Sequence, residues 1–187
     1  MKFDKYANKY DKGWQGKASS RFYNNLINEL NFNEGDSVLD VGCGTGKILN
    51  HISNNVSANY YGIDESVKMI EEARKKNKNI DFKVGDVSNL PYKDSSMDLI
   101  MACMAYHHFP NQEKFREEAS RVLKTGGKIY ICDPRLPKII RFIFNHHFKD
   151  SGFYSSKKNI KVFEESGFKL INIVKDFYVQ LLVFEKI

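Results

Sequence analysis

Gly42, Gly44 and Gly46 fall within five positions, directly after the apolar run SVLDV that carries Asp40. Glycines at that density let a ligand approach the backbone where side chains would obstruct it. Asp40 adds a negative charge or a hydrogen-bond acceptor beside them. The spacing narrows the choice of ligand. A dinucleotide turn reads GxGxxG, its third glycine three positions after the second, and holds a pyrophosphate at a helix N-terminus. Here the run is Gly42-x-Gly44-x-Gly46, which supplies the turn without that phosphate signature. Nor does the sequence carry the GxxxxGK[ST] of a P-loop.

Other chemistry-bearing side chains have local readings as well as functional ones. Asp40 can accept amides of its own turn, Asp64 can cap a helix starting near Ser66, and Asp86 suits a strand-end turn. His107 and His108 adjoin in YHHF, and His146 and His147 in FNHHFKD. Histidine can act as a general base, or cap and pack. No His pair has Cys or acidic partners at ligand spacing, so no metal site is expected. Cys43, Cys103 and Cys132 lie in or at the ends of apolar runs without a CxxC pair, and are expected as reduced, buried thiols.

Such residues need a scaffold, and helical and strand patterns alternate along the chain. Residues 18–30 space Phe22, Leu26, Ile27 and Leu30 on one helical face. SVLDV is a strand ending at the glycines, and a helix starts at Lys47. Residues 58–64 form a second strand, and Ser66 caps a helix with Val67, Met69, Ile70 and Ala73 inward. IDFKVGD is a third strand, and MDLIMACMA is apolar enough for a central strand covered on both faces. Residues 111–124 form a helix with Phe115, Ala119, Val122 and Leu123 inward, stopped by Gly126 and Gly127 before the strand KIYICD. A helix near 157–166 and a terminal antiparallel pair meeting at Phe177 complete the chain. This order predicts a doubly wound α/β sheet with helices on both faces, whose ligands bind beyond the strands' carboxyl ends.

The run LDVGCGTG resembles motif I of the class I S-adenosylmethionine-dependent methyltransferases. The resemblance continues through GID, GDVSNLP, SMDLI and RVLKTGG, from Val38 to Asp133, about half the chain. It implies a Rossmann-like, seven-stranded, mostly parallel sheet with an antiparallel last strand. It also implies S-adenosylmethionine as cofactor and S-adenosylhomocysteine as product. On this resemblance Gly42, Cys43, Gly44 and Gly46 form the turn around the methionine portion, with Asp40 orienting the turn or binding the ammonium group. Asp64, with Glu65 beside it, is placed to accept the ribose hydroxyls. Asp86 would face the adenine amine, with Val87 beside the ring, and Cys103 is included among the cofactor-binding residues.

The N-terminal aromatics Tyr6, Tyr10 and Trp14 lie where relatives carry a flap over cofactor and substrate. Their faces suit a sulfonium or a cationic substrate, or equally a hydrophobic cover on the sheet. His107 and His108 follow strand four and face the expected methyl-transfer site, as candidate bases or as packing residues. Residues 134–156 are read as an insertion covering the substrate. Its apolar stretch LPKIIRFIFNHHF has core packing as its default, against lining a pocket or touching a membrane surface.

At 187 residues, 42% hydrophobic and 28% charged, the chain fits one globular domain, residues 1–187, with residues 1–30 as flap and first helix. No run approaches the ~20 apolar residues that span a bilayer, and the N-terminus lacks a signal peptide's apolar core, so a cytoplasmic location is expected. The net charge of +6 leaves nucleic acid as a possible partner. The densest cations, RKKNK, instead close a helix. The motif for amino-directed nucleic-acid methylation is missing after strand four, where CMAYHH stands. A small-molecule acceptor, methylated by in-line displacement, is therefore the expected partner. An RNA methyltransferase and a cofactor-binding protein without turnover are the alternatives, and the oligomeric state is left open.

Overall fold

The computed structural model describes residues 4–5, 7–11, 13, 19–147 and 152–187. Within them, α1 (Ser20–Glu29), β1 (Ser37–Val41), α2 (Lys47–Ile52), β2 (Asn59–Asp64), α3 (Val67–Lys76) and β3 (Asp81–Val84) form the first half. The second half is β4 (Met97–Cys103), α4 (Gln112–Val122), β5 (Leu123–Pro134), α5 (Lys138–His147), α6 (Ser156–Glu164), β6 (Phe168–Lys175) and β7 (Val179–Lys186). One seven-stranded sheet runs β3-β2-β1-β4-β5-β7-β6, and β7 lies antiparallel to both neighbours. The expected sheet is therefore observed.

Strand order reverses between β1 and β4, which pair in parallel through Val38–Leu99 and Asp40–Met101. That reversal opens a crevice beyond the strands' carboxyl ends, where the glycine turn leaves β1. β4 is buried along almost its whole length, as its unbroken apolar run requires. Two apolar clusters cover the sheet. One face carries Leu26, Leu49, Ile70 and Phe82; the other carries Phe115, Phe163, Phe168 and Phe184.

Local chemistry sets the boundaries of the elements near the crevice. Ser66 Oγ accepts the Met69 amide and caps α3. Arg74, Lys75 and Lys76 occupy the last turn of α3, where cations complement the helix dipole. Arg74 donates to the Phe82 carbonyl of β3, and Lys75 pairs with Glu72. The RKKNK cluster is therefore spent largely on holding the fold.

Three expectations are corrected. Val67 lies in the first turn of α3 and is 52% exposed, so only Met69, Ile70 and Ala73 of its group face inward. Gly126 and Gly127 do not end a helix before a strand; β5 begins at Leu123 and contains both. The pairing with β4 shifts register there, and a side chain on Gly127 would sit 2.8 Å from the Lys124 carbonyl, so the glycines serve an irregular strand. The apolar stretch after β5 does not default to the core: it forms α5, whose Ile139 and Phe142 are 72% and 71% exposed.

Candidate active site

Past the ends of β1, β2 and β4 lies a cavity of about 110 Å³, with Gly42, Gly44, Asp64 and Glu65 on one side. Asp86 and Val87 line it from the loop after β3, and His108, Phe109 and Pro110 from the turn after β4. A smaller recess of about 50 Å³ shares Tyr10, Gly42, Gly44 and Met104 with it and adds Asp40, Cys43 and Cys103. Strands ending at a common level thus bring together residues that are far apart in sequence.

The three glycines have positive φ, 73°, 53° and 70°, but do different work. At Gly44 an added Cβ would meet nothing within 4 Å, so that position leaves room in the cavity. At Gly42 it would press on Ala105 Cβ at 2.6 Å, which lets the β1 and β4 turns touch. Gly46 is not in the cavity wall. A Cβ there would strike Phe82 at 2.6 Å, so its place in the expected cofactor turn is one of core packing.

Asp64 is already engaged. Its Oδ2 accepts the Gly44 amide and its Oδ1 the Ser66 amide, both at 2.9 Å. Burial raises its pKa, and the two amides oppose the rise. Each oxygen keeps a further lone pair for a ligand. Asp86 is exposed, and its Oδ1 accepts the Ser88 amide at 2.8 Å, so the turn reading holds while the residue also lines the cavity.

Asp40 is 2% exposed and its carboxyl forms no hydrogen bond among the described residues. Burial, and then the charge of Asp64, push its carboxyl up to about 8. A buried acid whose carboxyl has no partner, facing a recess beside a second acid, has acceptors free for a cationic group. The donor set thus fits an ammonium group at Asp40 and hydroxyls at Asp64. Burial also pushes the Cys43 and Cys103 thiols well up, so both line the recess in neutral form.

The two histidines separate. His107 is 4% exposed and does not line the cavity. Asp133 holds it from both oxygens, Oδ1 on Nδ1 at 2.9 Å and Oδ2 accepting its amide at 3.0 Å. Phe153 stacks on its ring at 4.4 Å. Its expected place facing the methyl-transfer site is therefore corrected, because the buried aspartate at the end of β5 draws it into the core. His108 is the member of the pair in the cavity wall, 4.0 Å from the His107 ring between centroids.

The N-terminal segment lies against the turn. Asp11 Oδ1 accepts the Thr45 hydroxyl at 2.9 Å, Lys76 binds both Asp11 and the Thr45 carbonyl, and Asp4 accepts the Ser66 hydroxyl. Tyr10 then lines both cavities. Tyr6 and Trp14 lie outside the described residues. Sequence reasoning missed this latch, because Asp11, Thr45 and Lys76 meet only through the fold. It also missed Met104, which lines both cavities at φ 56°. No sequence signal marks a methionine for the left-handed region, and such strain collects at functional sites. Among the described residues no metal-binding cluster occurs.

Residues 39–131 match the methyltransferase domain family. The chain is 34% identical over 148 residues to the demethylmenaquinone methyltransferase of Thermotoga maritima, covering 75% of this chain and 63% of that one. It is 30% identical over 193 residues to an uncharacterized protein of Methanocaldococcus jannaschii, covering 99% and 89%. A Haloferax volcanii chain, solved in complex with the Trm112 methyltransferase activator, superimposes with a TM-score of 0.87 at 22% identity, covering 98% and 96%. The chain belongs to the S-adenosylmethionine-dependent methyltransferases. It spans between 35% and 63% of the length of the first curated relatives it matches.

Proposed function

We propose that this protein transfers the methyl group of S-adenosylmethionine to a small-molecule acceptor. The observation that carries the reading is the unpartnered, buried Asp40 beside Asp64 and the open face of Gly44, a donor set matched to a cationic, hydroxylated ligand without phosphate. When bound, the cofactor supplies a methyl group already activated on a sulfonium, transferred in line to leave S-adenosylhomocysteine. Asp40 binds the ammonium group, Asp64 with Glu65 the ribose hydroxyls, and Asp86 with Val87 the adenine. Tyr10 closes over the site with the flap, and Cys43 and Cys103 shape the inner recess.

The chain's main contribution to rate is alignment, since an activated donor needs little else. His108 is the candidate base where an acceptor must lose a proton, and His107 holds the turn that carries it. The apolar wall of Val87, Met104, Ala105, Phe109 and Pro110 supports an apolar, ring-bearing acceptor. So do the demethylmenaquinone and 27-O-demethylrifamycin SV methyltransferases among the relatives. The reading takes residues 1–187 as one domain, with residues 134–156 on the acceptor side, in the cytoplasm.

Calorimetric titration with S-adenosylmethionine and S-adenosylhomocysteine, with NAD as control, tests the cofactor. Saturable binding of both sulfur ligands and not NAD is the expected result; equal binding of NAD would reject it. A screen of apolar phenols and quinone precursors then tests the acceptor. Steeply salt-dependent RNA binding with methylation of RNA would favour the RNA reading instead. Binding without turnover on any acceptor would favour a cofactor-binding protein.

A further inference from the structure

Helix α5 presents its apolar side chains outward. Ile139 and Phe142 are 72% and 71% exposed, and Ile143 is 48% exposed. These residues sit at i, i+3 and i+4, so they form one stripe, and the ten-residue helix carries no acid. Lys138 and Arg141 stand on the same helix, off the stripe.

Cations gather beside it. A cavity of about 280 Å³ adjoins α5, lined by Arg135, Arg141, Lys157 and Lys175 together with the hydroxyls of Tyr154 and Ser155. None of these four cations forms an ion pair among the described residues. Among the described residues no acidic side chain lines this hollow to offset them. Four unpaired cations around one hollow attract anions. An exposed aliphatic and aromatic stripe attracts an apolar phase.

We propose that α5 and the adjoining basic hollow form a peripheral docking surface for an anionic lipid bilayer. The apolar stripe would lie at the level of the acyl chains, with Lys138 at its rim. Arg141, on the far side of the helix, and the hollow behind it would sit among the phosphates, the arrangement of an interfacial amphipathic helix. No helix among the described residues is long and apolar enough to cross a membrane, so contact of this kind is reversible and surface-bound. The proposal rests on α5 and its neighbours and not on the identity of the methyl acceptor.

The test is flotation of the full chain with vesicles of phosphatidylglycerol and phosphatidylcholine in equal parts, against phosphatidylcholine alone. Binding to the anionic vesicles is expected to exceed binding to the neutral ones by about tenfold or more, and to weaken as salt rises. The double variant Ile139→Ser/Phe142→Ser is expected to lose about tenfold in vesicle binding while keeping its melting temperature, because both side chains are already in water. Arg141→Glu/Lys157→Glu is expected to lose a similar factor and most of the salt dependence. Equal binding to both vesicle types, or unchanged binding by either variant, would overturn the proposal. So would calorimetric binding of inorganic phosphate with no vesicle binding, which would make the hollow a free-anion site. A dimer abolished by Phe142→Ser, without vesicle binding, would make the stripe a contact between copies. Flotation needs neither cofactor nor turnover, so its failure and the failure of the methyl-transfer reading are separate results.

Discussion

Asp64 Oδ2 accepts the amide of Gly44 at 2.9 Å, so a carboxylate at the end of β2 fixes the turn at the end of β1. The other oxygen holds the Ser66 amide at the start of α3. One side chain therefore ties together two elements that flank the cavity. Asp64→Ala removes two acceptors from backbone amides as well as the acceptors for a diol. It is expected to weaken S-adenosylmethionine binding by about tenfold or more and to cost about 1–3 kcal/mol of stability. Calorimetry and thermal melting check the two effects, and unchanged affinity would reject the binding role.

Asp40 makes stability depend on pH. Burial, and then the charge of Asp64, push its folded-state carboxyl up to about 8, against an ordinary value of 3.8. Between those values the unfolded chain has released a proton that the folded protein keeps, so this residue's contribution to stability falls as pH rises and is least favourable above 8. Asp40→Asn is expected to remove that slope and to stabilise the cofactor-free protein at pH 8 by about 1–2 kcal/mol. The same change should weaken binding of the cationic cofactor. In the native protein, affinity should rise as pH climbs towards 8 and Asp40 ionises. Melting curves at several pH values, with and without ligand, read both trends.

Asp11 accepts the buried Thr45 hydroxyl and pairs with the partly exposed Lys76, and ion pairs of that kind contribute little to stability. The two cavities it helps to enclose, about 110 and 50 Å³, are smaller than the roughly 300 Å³ at the lower end of ligand clefts. Cofactor binding is therefore expected to move this segment. Asp11→Ala is expected to speed cofactor dissociation several-fold while changing stability by less than about 1 kcal/mol. Stopped-flow displacement measures the rate. An unaltered rate with a large drop in melting temperature would mark the contact as structural only.

His107 and His108 should respond in opposite ways. Replacing the buried His107 with alanine removes the partner of Asp133 Oδ1 and leaves only the backbone amide on Oδ2, and is expected to cost about 1–3 kcal/mol. His108→Ala leaves the core intact and is expected to lower turnover without a comparable loss of melting temperature. Equal effects of the two changes on kcat and stability would remove the distinction.

Legibility in the sequence followed the physics of each signal. β1 and β4 were readable because buried parallel strands demand largely apolar runs, and Ser66 because a capping hydroxyl stands next to the helix it starts. The glycine turn and the three carboxylates stood out as a set only through the resemblance to the methyltransferase motifs, and the structure gathers them around adjoining cavities. Local pattern misled at Gly126 and Gly127, since a glycine pair after a helix looks the same whether it stops the helix or eases an irregular strand. It misled again at α5, where apolar periodicity announces an amphipathic face but not what that face meets. His107 was beyond local reading, because Asp133, 26 residues away, decides which histidine turns inward. The Asp11–Thr45–Lys76 latch was invisible for the same reason: pairs far apart in sequence leave no periodic trace.

The contact of Gly46 with Phe82 carries one more consequence. The last letter of the GCGTG signature is accounted for by a left-handed backbone, φ 70°, and by an aromatic ring on the third strand. A library scored for retained cofactor binding would count Gly46 as indispensable, yet the same score would appear in any chain with this sheet and a phenylalanine at that place, whatever it bound. Substituting a smaller side chain for Phe82 should make alanine more tolerable at position 46, within the limit that the positive φ sets.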